Sequence, residues 1–246
     1  MLFKWIIKIN RKRSKSVTEI AILMAAGLGS RMRPLTETTP KPLIKVRGKA
    51  MIETVIEGLL MRPVEEIYVV TGYLGEQFEF LREKYPQVRL LHNPEYLTKN
   101  NISSVYAARE ALGIADCFIC EADLFVANAA IFKKKLEHSC YYGRMQQGYS
   151  EDWVFDLQGD HIVRVGKGGT DAYNMVGVSF FKKEDACILR QEIERAYALE
   201  ENSDLFWDDV VNQNLGKLKL TIEPVQEGQI VEIDTVEELE KVNESI

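Results

Sequence analysis

The chain has 246 residues, 46% hydrophobic and 28% charged, with a formal net charge of −6. That length and composition suit one large α/β domain with a full core, and no apolar stretch approaches the ~20 residues that a membrane span requires. The first eighteen residues carry Lys4, Lys8, Arg11, Lys12, Arg13 and Lys15 with no acid, which leaves the remainder near −12, a charge unsuited to general nucleic-acid binding.

Residues 1–18 are read as a basic leader and residues 19–246 as the domain. The leader lacks a secretory apolar region and a small-residue cleavage site. It reads as a solvated tail or the remnant of an upstream module, with weak contact to an anionic membrane surface as the alternative.

The domain opens on a buried strand at Ile20–Ala25 (IAILMA), followed at once by a glycine turn. Apolar runs then alternate with amphipathic ones: a helix over Met51–Leu60, a strand at Ile67–Val70, a helix over Leu74–Lys84 and a strand at Val88–Leu91. A helix over Ser103–Leu112 and a strand at Cys117–Cys120 continue the series, and this βαβα order predicts a mostly parallel sheet between helices. Right-handed crossovers bring the loops after the strands to one sheet edge, which gathers the glycine turn, Tyr73 and Asp123.

Beyond Asp123 the pattern loosens. A hairpin is expected over Trp153–Val165, turning at Gln158-Gly159-Asp160, then a strand at Met175–Phe181 and a helix over Lys183–Leu199. Another helix follows Asp208, then a strand at Leu218–Glu223 and a last helix from Thr235. This half is expected to supply the pocket for a second substrate. Cys117 and Cys120 lie three apart within one strand and so face opposite sides; with no second pair or histidine cluster, the cysteines read as reduced residues of a cytoplasmic protein.

The segment after the first strand carries the chemistry. Gly27, Gly29, Arg31, Pro34, Thr36, Pro40, Lys41 and Pro42 fit G-x-G-x-R-x-x-P-x-T-x-x-x-P-K-P, a turn whose amides approach an anion closely while fixed cations neutralise it. Met32 stands where a dinucleotide fingerprint needs its third glycine. None of the Gly-Lys pairs is followed by the Ser or Thr of a Walker loop.

This motif closely resembles the signature of nucleotidyltransferases that join a nucleoside triphosphate to a phosphorylated small molecule. Within that superfamily the chain is most similar to the bacterial choline-phosphate cytidylyltransferases, through GYLGEQF (Gly72–Phe78), the Asn-Asn-x-x-S segment at Asn100–Ser104, EADLF (Glu121–Phe125), GVSFF (Gly177–Phe181), FWDD (Phe206–Asp209) and VEID (Val231–Asp234). The resemblance implies a Rossmann-like nucleotidyltransferase fold of α/β class, a mostly parallel mixed sheet flanked by helices with a small acceptor-side insertion. It implies magnesium-dependent transfer of CMP from CTP to phosphocholine, giving CDP-choline for a phospholipid or cell-surface polymer. A related group is thought to use aminoethylphosphonate, whose primary ammonium would prefer carboxylates such as Asp152, Asp208 and Asp209. Sugar 1-phosphates and a catalytically silent nucleotide-binding module are the further alternatives.

Arg31 is expected to grip the β- and γ-phosphates and Lys41, between two prolines, to sit near the α-phosphate. Magnesium asks for one or two carboxylates, and the resemblance maps the metal aspartates onto Asp123 and Asp234. Thr235 and Glu238 have the spacing of a capping box, so Asp234 could instead serve the last helix. Nucleotide contacts are expected from Ala25, Ala26, Gly27, Gly29 and Ser30, and base contacts from Gly72, Tyr73, Asn101 and Ser104, with helix capping as the alternative for Asn100 and Asn101. A quaternary ammonium cannot donate ordinary hydrogen bonds, so Trp153, Tyr173 and Trp207, with Asp208 beside them, are the candidate acceptor site, core packing being the alternative.

Overall fold

The computed structural model describes residues 19–244; the basic leader and any membrane contact it makes lie outside them. The chain forms β1 (Glu19–Ala25), a short hairpin of β2 (Lys45–Val46) and β3 (Lys49–Ala50), α1 (Met51–Leu59), β4 (Val64–Thr71), α2 (Phe80–Lys84), β5 (Val88–His92), α3 (Ile102–Ala107) and β6 (Asp116–Glu121). Then come β7 (Leu124–Val126), β8 (Cys140–Gln158), β9 (His161–Phe181), α4 (Lys183–Tyr197), α5 (Trp207–Gln213), β10 (Thr221–Pro224), β11 (Ile230–Glu232) and α6 (Val236–Glu244).

Seven strands make one sheet in the order β10-β8-β9-β6-β1-β4-β5. β1 lies parallel to both β4 and β6, while β9 runs antiparallel to β6 and β8, so the sheet is mixed. The continuous apolar run of β1 follows from burial on both faces. Ala21 and Leu23 join α1 and Phe118 on one side, and Ile20 and Ile22 join α3, α4 and α5 on the other. Cys117 and Cys120 fall into these two opposite clusters, and the cysteines are free.

Several expectations shift. The helix expected over residues 74–84 begins as a 3-10 turn, Gly75–Phe78, and becomes α-helical only in α2, because Leu74 takes a left-handed φ of 48°. The helix expected over residues 103–112 ends at Ala107 in short turns that close on Gly113, and the strand near Leu218 starts at Thr221. The hairpin does turn at Gly159, but its strands run for 19 and 21 residues and lie side by side between β10 and β6. Their register breaks repeatedly between Tyr141 and Leu157, so the alternating pattern was visible only in its outer part. A third apolar cluster, including Met32, Ile44, Val46, Phe125, Ile233 and Leu239, fastens the glycine turn to β7, β11 and α6. No helix among the described residues is long and apolar enough to cross a membrane.

Candidate active site

The turns after β1 and β6 open at the same sheet edge, where a cavity of about 510 Å³ lies. Ala25, Ala26, Gly27, Gly29 and Ser30 form one wall, with Arg31, Lys41, Asp123 and Asp234 around its head. Gly29 has φ 61°, and a Cβ there would stand 2.8 Å from Lys41 Cβ, so only glycine lets the turn close on this lysine. Buried Thr36 locks that approach by donating its hydroxyl to the Gly29 carbonyl at 2.9 Å.

The charged groups are already joined. Lys41 Nζ donates to Asp123 Oδ2 and Asp234 Oδ1, both at 2.7 Å, and Arg31 reaches the same Asp234 oxygen at 2.7 Å. The Lys41 side chain is only 8% exposed, whereas that of Arg31 is 69% exposed. Burial works against the Lys41 charge, yet Asp123 and Asp234 outweigh it and hold the ammonium above the ordinary lysine pKa. Burial, with Asp234 and Asp123 nearby, pushes Glu232 up to about 7, and burial beside Asp123 raises Glu121 well above the usual carboxylate range.

The capping alternative for Asp234 is answered by its neighbours. Glu238 N–H donates to Thr235 Oγ1, and the Glu238 carboxylate accepts from the backbone N–H groups of Asp234 and Thr235. The helix terminus is thus satisfied while the Asp234 side chain turns to the cations. Asp123 and Asp234 share one ammonium at hydrogen-bond length, so their oxygens stand no more than two such lengths apart. This donor set fits a hard divalent ion such as magnesium, which completes its shell with phosphate and water oxygens. Among the described residues no group of three or more His, Cys, Asp and Glu could hold a metal without such help.

Asn101 and Ser104 line the opposite wall. Asn101 occupies the N-cap position of α3 but makes no side-chain cap; its Oδ1 accepts from Trp207 N–H at 3.0 Å. Asn100 donates from Nδ2 to the Asp204 carbonyl at 3.1 Å, so both asparagines tie α3 to the start of α5. Gly72 and Tyr73 do not line the cavity: Tyr73 donates its backbone N–H to Ala26 O and its hydroxyl to Glu37 O, bracing the glycine turn from behind.

The aromatic residues chosen for the acceptor also stand outside this cavity. Trp207 is 3% exposed and packs in the core against Tyr141 and Phe181, because as the first residue of α5 it faces the sheet. Trp153 meets Phe206 edge-on at 5.4 Å, and Tyr173 packs at the margin of the same core. Asp208 is buried with Oδ1 accepting from Tyr141 OH at 2.9 Å; burial raises it to about 7, Asp209 adding to the shift and the tyrosine bond opposing it.

Wall residues that escaped the sequence reading include Asn93, Tyr96 and Lys99. Buried Asn93 donates to the hydroxyls of Ser103 and Ser104 at 2.8 and 3.3 Å, which fixes that wall. It follows β5 at the same sheet edge as Asp123 follows β6, and that position was the available signal. Lys99 stacks its ammonium 3.7 Å from the Tyr197 ring centroid and pairs with Glu95.

The chain is also similar to known proteins. Residues 21–160 match the family model for the MobA-like NTP transferase domain. A 2-aminoethylphosphonate cytidylyltransferase from Lancefieldella rimae is 53% identical over 93% of this chain and 93% of its own. A choline-phosphate cytidylyltransferase from Streptococcus pneumoniae is 36% identical over 91% of this chain and 96% of its own. The solved structure of the CTP:phosphocholine cytidylyltransferase of S. pneumoniae superposes with a TM-score of 0.86 at 34% identity, covering 93% of this chain and 99% of that one.

Proposed function

The chain belongs to the MobA-like NTP transferase family as a nucleotidyltransferase of the bacterial choline-phosphate cytidylyltransferase type, and we propose that it transfers CMP from CTP to 2-aminoethylphosphonate. The observation that carries the nucleotidyl-transfer chemistry is the Arg31–Asp234–Lys41–Asp123 chain of contacts at the head of the glycine turn. For the acceptor, two findings favour a primary ammonium over phosphocholine's quaternary one. Trp207 of the expected aromatic cage is packed into the core, Trp153 and Tyr173 stand outside the cavity, and the relative named for aminoethylphosphonate is 53% identical over 93% of both chains.

In this reading a phosphonate oxygen attacks the α-phosphorus in line, a new P–O bond forms, and the bond to the bridging oxygen breaks to release pyrophosphate. The acceptor attacks as an anion, so no general base is needed. The protein's task is to bring two polyanions together and to stabilise charge on the leaving group. Arg31 grips the β- and γ-phosphates, the amides of the glycine turn approach the triphosphate, and buried Lys41 meets the α-phosphate. Asp123 and Asp234 would hold magnesium, which when bound neutralises phosphate charge. Asn101 and Ser104 face the base. With free cysteines, the reaction is assigned to the cytoplasm.

The test is pyrophosphate release from each nucleoside triphosphate with 2-aminoethylphosphonate, phosphocholine or a sugar 1-phosphate. CTP with 2-aminoethylphosphonate is expected to give the highest kcat/KM. A preference for phosphocholine would replace the acceptor, and no release from CTP with any acceptor would sink the reaction itself.

A further inference from the structure

The cavity wall that carries Asn101 and Ser104 is a hydrogen-bonded unit whose donors and acceptors are assigned by the backbone. Asn93, 2% exposed, accepts the Glu95 backbone N–H on Oδ1 at 3.0 Å. A backbone N–H can only donate, so this amide has one orientation. Nδ2 must then give its hydrogens to Ser103 Oγ at 2.8 Å and Ser104 Oγ at 3.3 Å. Ser103 passes its own proton to the Asn100 carbonyl at 2.8 Å. The Ser104 hydroxyl has no acceptor among the described residues: its oxygen is held by Asn93, and its hydrogen is left for the cavity that the residue lines.

The same device turns Asn101. Its Oδ1 takes the Trp207 backbone N–H at 3.0 Å, so Nδ2, without a partner among the described residues, is the polar end left for the cavity. Asn100 beside it is engaged at both ends, accepting the Asn101 backbone N–H and donating to the Asp204 carbonyl. The wall therefore offers two donors. Cytosine carries two adjacent acceptors, N3 and O2, whereas uracil keeps O2 but bears a hydrogen on N3. A fixed donor against N3 pairs with cytosine and meets uracil hydrogen to hydrogen, which leaves both groups unpaired.

We propose that Asn93 is the positioning residue for base selection: by holding the Ser104 oxygen it fixes that hydroxyl as a donor to N3 of cytosine, while Asn101 Nδ2 takes O2. Ser104, 5% exposed, is the more deeply buried of the two, which matches N3 as the acceptor farther from the ribose. The inference rests on the cytidylyltransferase reading and says how that site refuses UTP.

The experiment measures kcat/KM for CTP, UTP and 3-deazacytidine triphosphate, which carries C–H in place of N3, with whichever of 2-aminoethylphosphonate and phosphocholine the protein uses. The wild-type protein should prefer CTP to either by at least ~10-fold, the scale of a hydrogen bond lost with its partner left unpaired. Asn93→Asp keeps an acceptor for the Glu95 N–H but offers Ser104 an oxygen, so the hydroxyl turns its hydrogen inward and shows the cavity a lone pair. That variant should lower the ratio of CTP to UTP use at least ~10-fold and leave the KM for the second substrate unchanged. A residue that only stabilised the wall would lower the use of both nucleotides alike. Ser104→Ala, which buries no new charge, should use CTP and 3-deazacytidine triphosphate about equally, and it decides together with the wild type if Asn93→Asp does not fold. Equal use of CTP and either analogue by the wild type overturns the inference while leaving the reaction intact. So does a folded Asn93→Asp variant with the wild-type ratio, or a Ser104→Ala variant that still prefers N3. No release of pyrophosphate from CTP with any acceptor defeats the reaction and the inference together.

Discussion

The donor and acceptor sides of this cavity are built by opposite means. On the donor side, one short segment from Gly27 to Pro42 supplies the turn and both cations, and distant Asp123 and Asp234 close on it through preformed ion pairs. In the half expected to hold the acceptor, two long irregular strands and α5 meet, and the large aromatics there fill the core and do not line the cavity. A triphosphate presents the same charges to every enzyme that uses it, so a contiguous motif can hold it. A small acceptor must be told apart by a pocket shaped to it, which only the packed fold creates.

The largest effect that sharpens this contrast is expected from Trp207→Ala. As a core residue its loss should destabilise the fold by about 3–5 kcal/mol, measured by denaturant unfolding. A variant of normal stability with only the acceptor KM raised would break the comparison by returning Trp207 to the substrate wall. Lys41→Ala and Asp123→Ala should each lower turnover at least ~100-fold with the fold retained, the scale of losing one transition-state stabiliser. Near-normal pyrophosphate release in either would remove that residue from the donor side. Arg31→Ala, at an exposed position, should cost about tenfold, mostly in the KM for CTP, as for a charge-assisted hydrogen bond; an effect on the acceptor KM alone would move Arg31 across the cavity.

A further expected change is a slope. Asp208 titrates near 7 in the folded protein against an ordinary value of 3.8, so the native state holds its proton more tightly than the unfolded chain does. The stability this contributes is complete below about pH 4, declines as pH rises and is gone above about pH 7. Unfolding free energy in Asp208→Asn should therefore fall less between those limits than in the wild type. Equal slopes would mean that Asp208 is solvated, contrary to its burial.

Much of the donor side was legible in the sequence because its signals are local. Glycines, arginine, lysine and prolines at fixed spacing require one another within a single turn, and Asp123 follows an apolar strand at the edge where ligands bind. Asp234 was ambiguous because Thr235 and Glu238 favour the same helix terminus, and the ambiguity ends only when Glu238 is seen to satisfy both backbone donors. Gly72 and Tyr73 belong to the right neighbourhood but brace the turn. The acceptor side was not legible, since a buried aromatic in the core and one in a ligand cage obey the same hydrophobic pattern.

The paired hydrogen bonds from Lys41 to Asp123 and Asp234 have a historical consequence. Three residues spread over most of the chain form one electrical unit, in which changing any member strands a partly buried charge. Their substitutions should be strongly non-additive, and a double-mutant cycle between Lys41 and Asp234 should show it. A lineage diverging from this protein can therefore trade residues elsewhere one at a time, while the three charges at the cavity head must move together or stay.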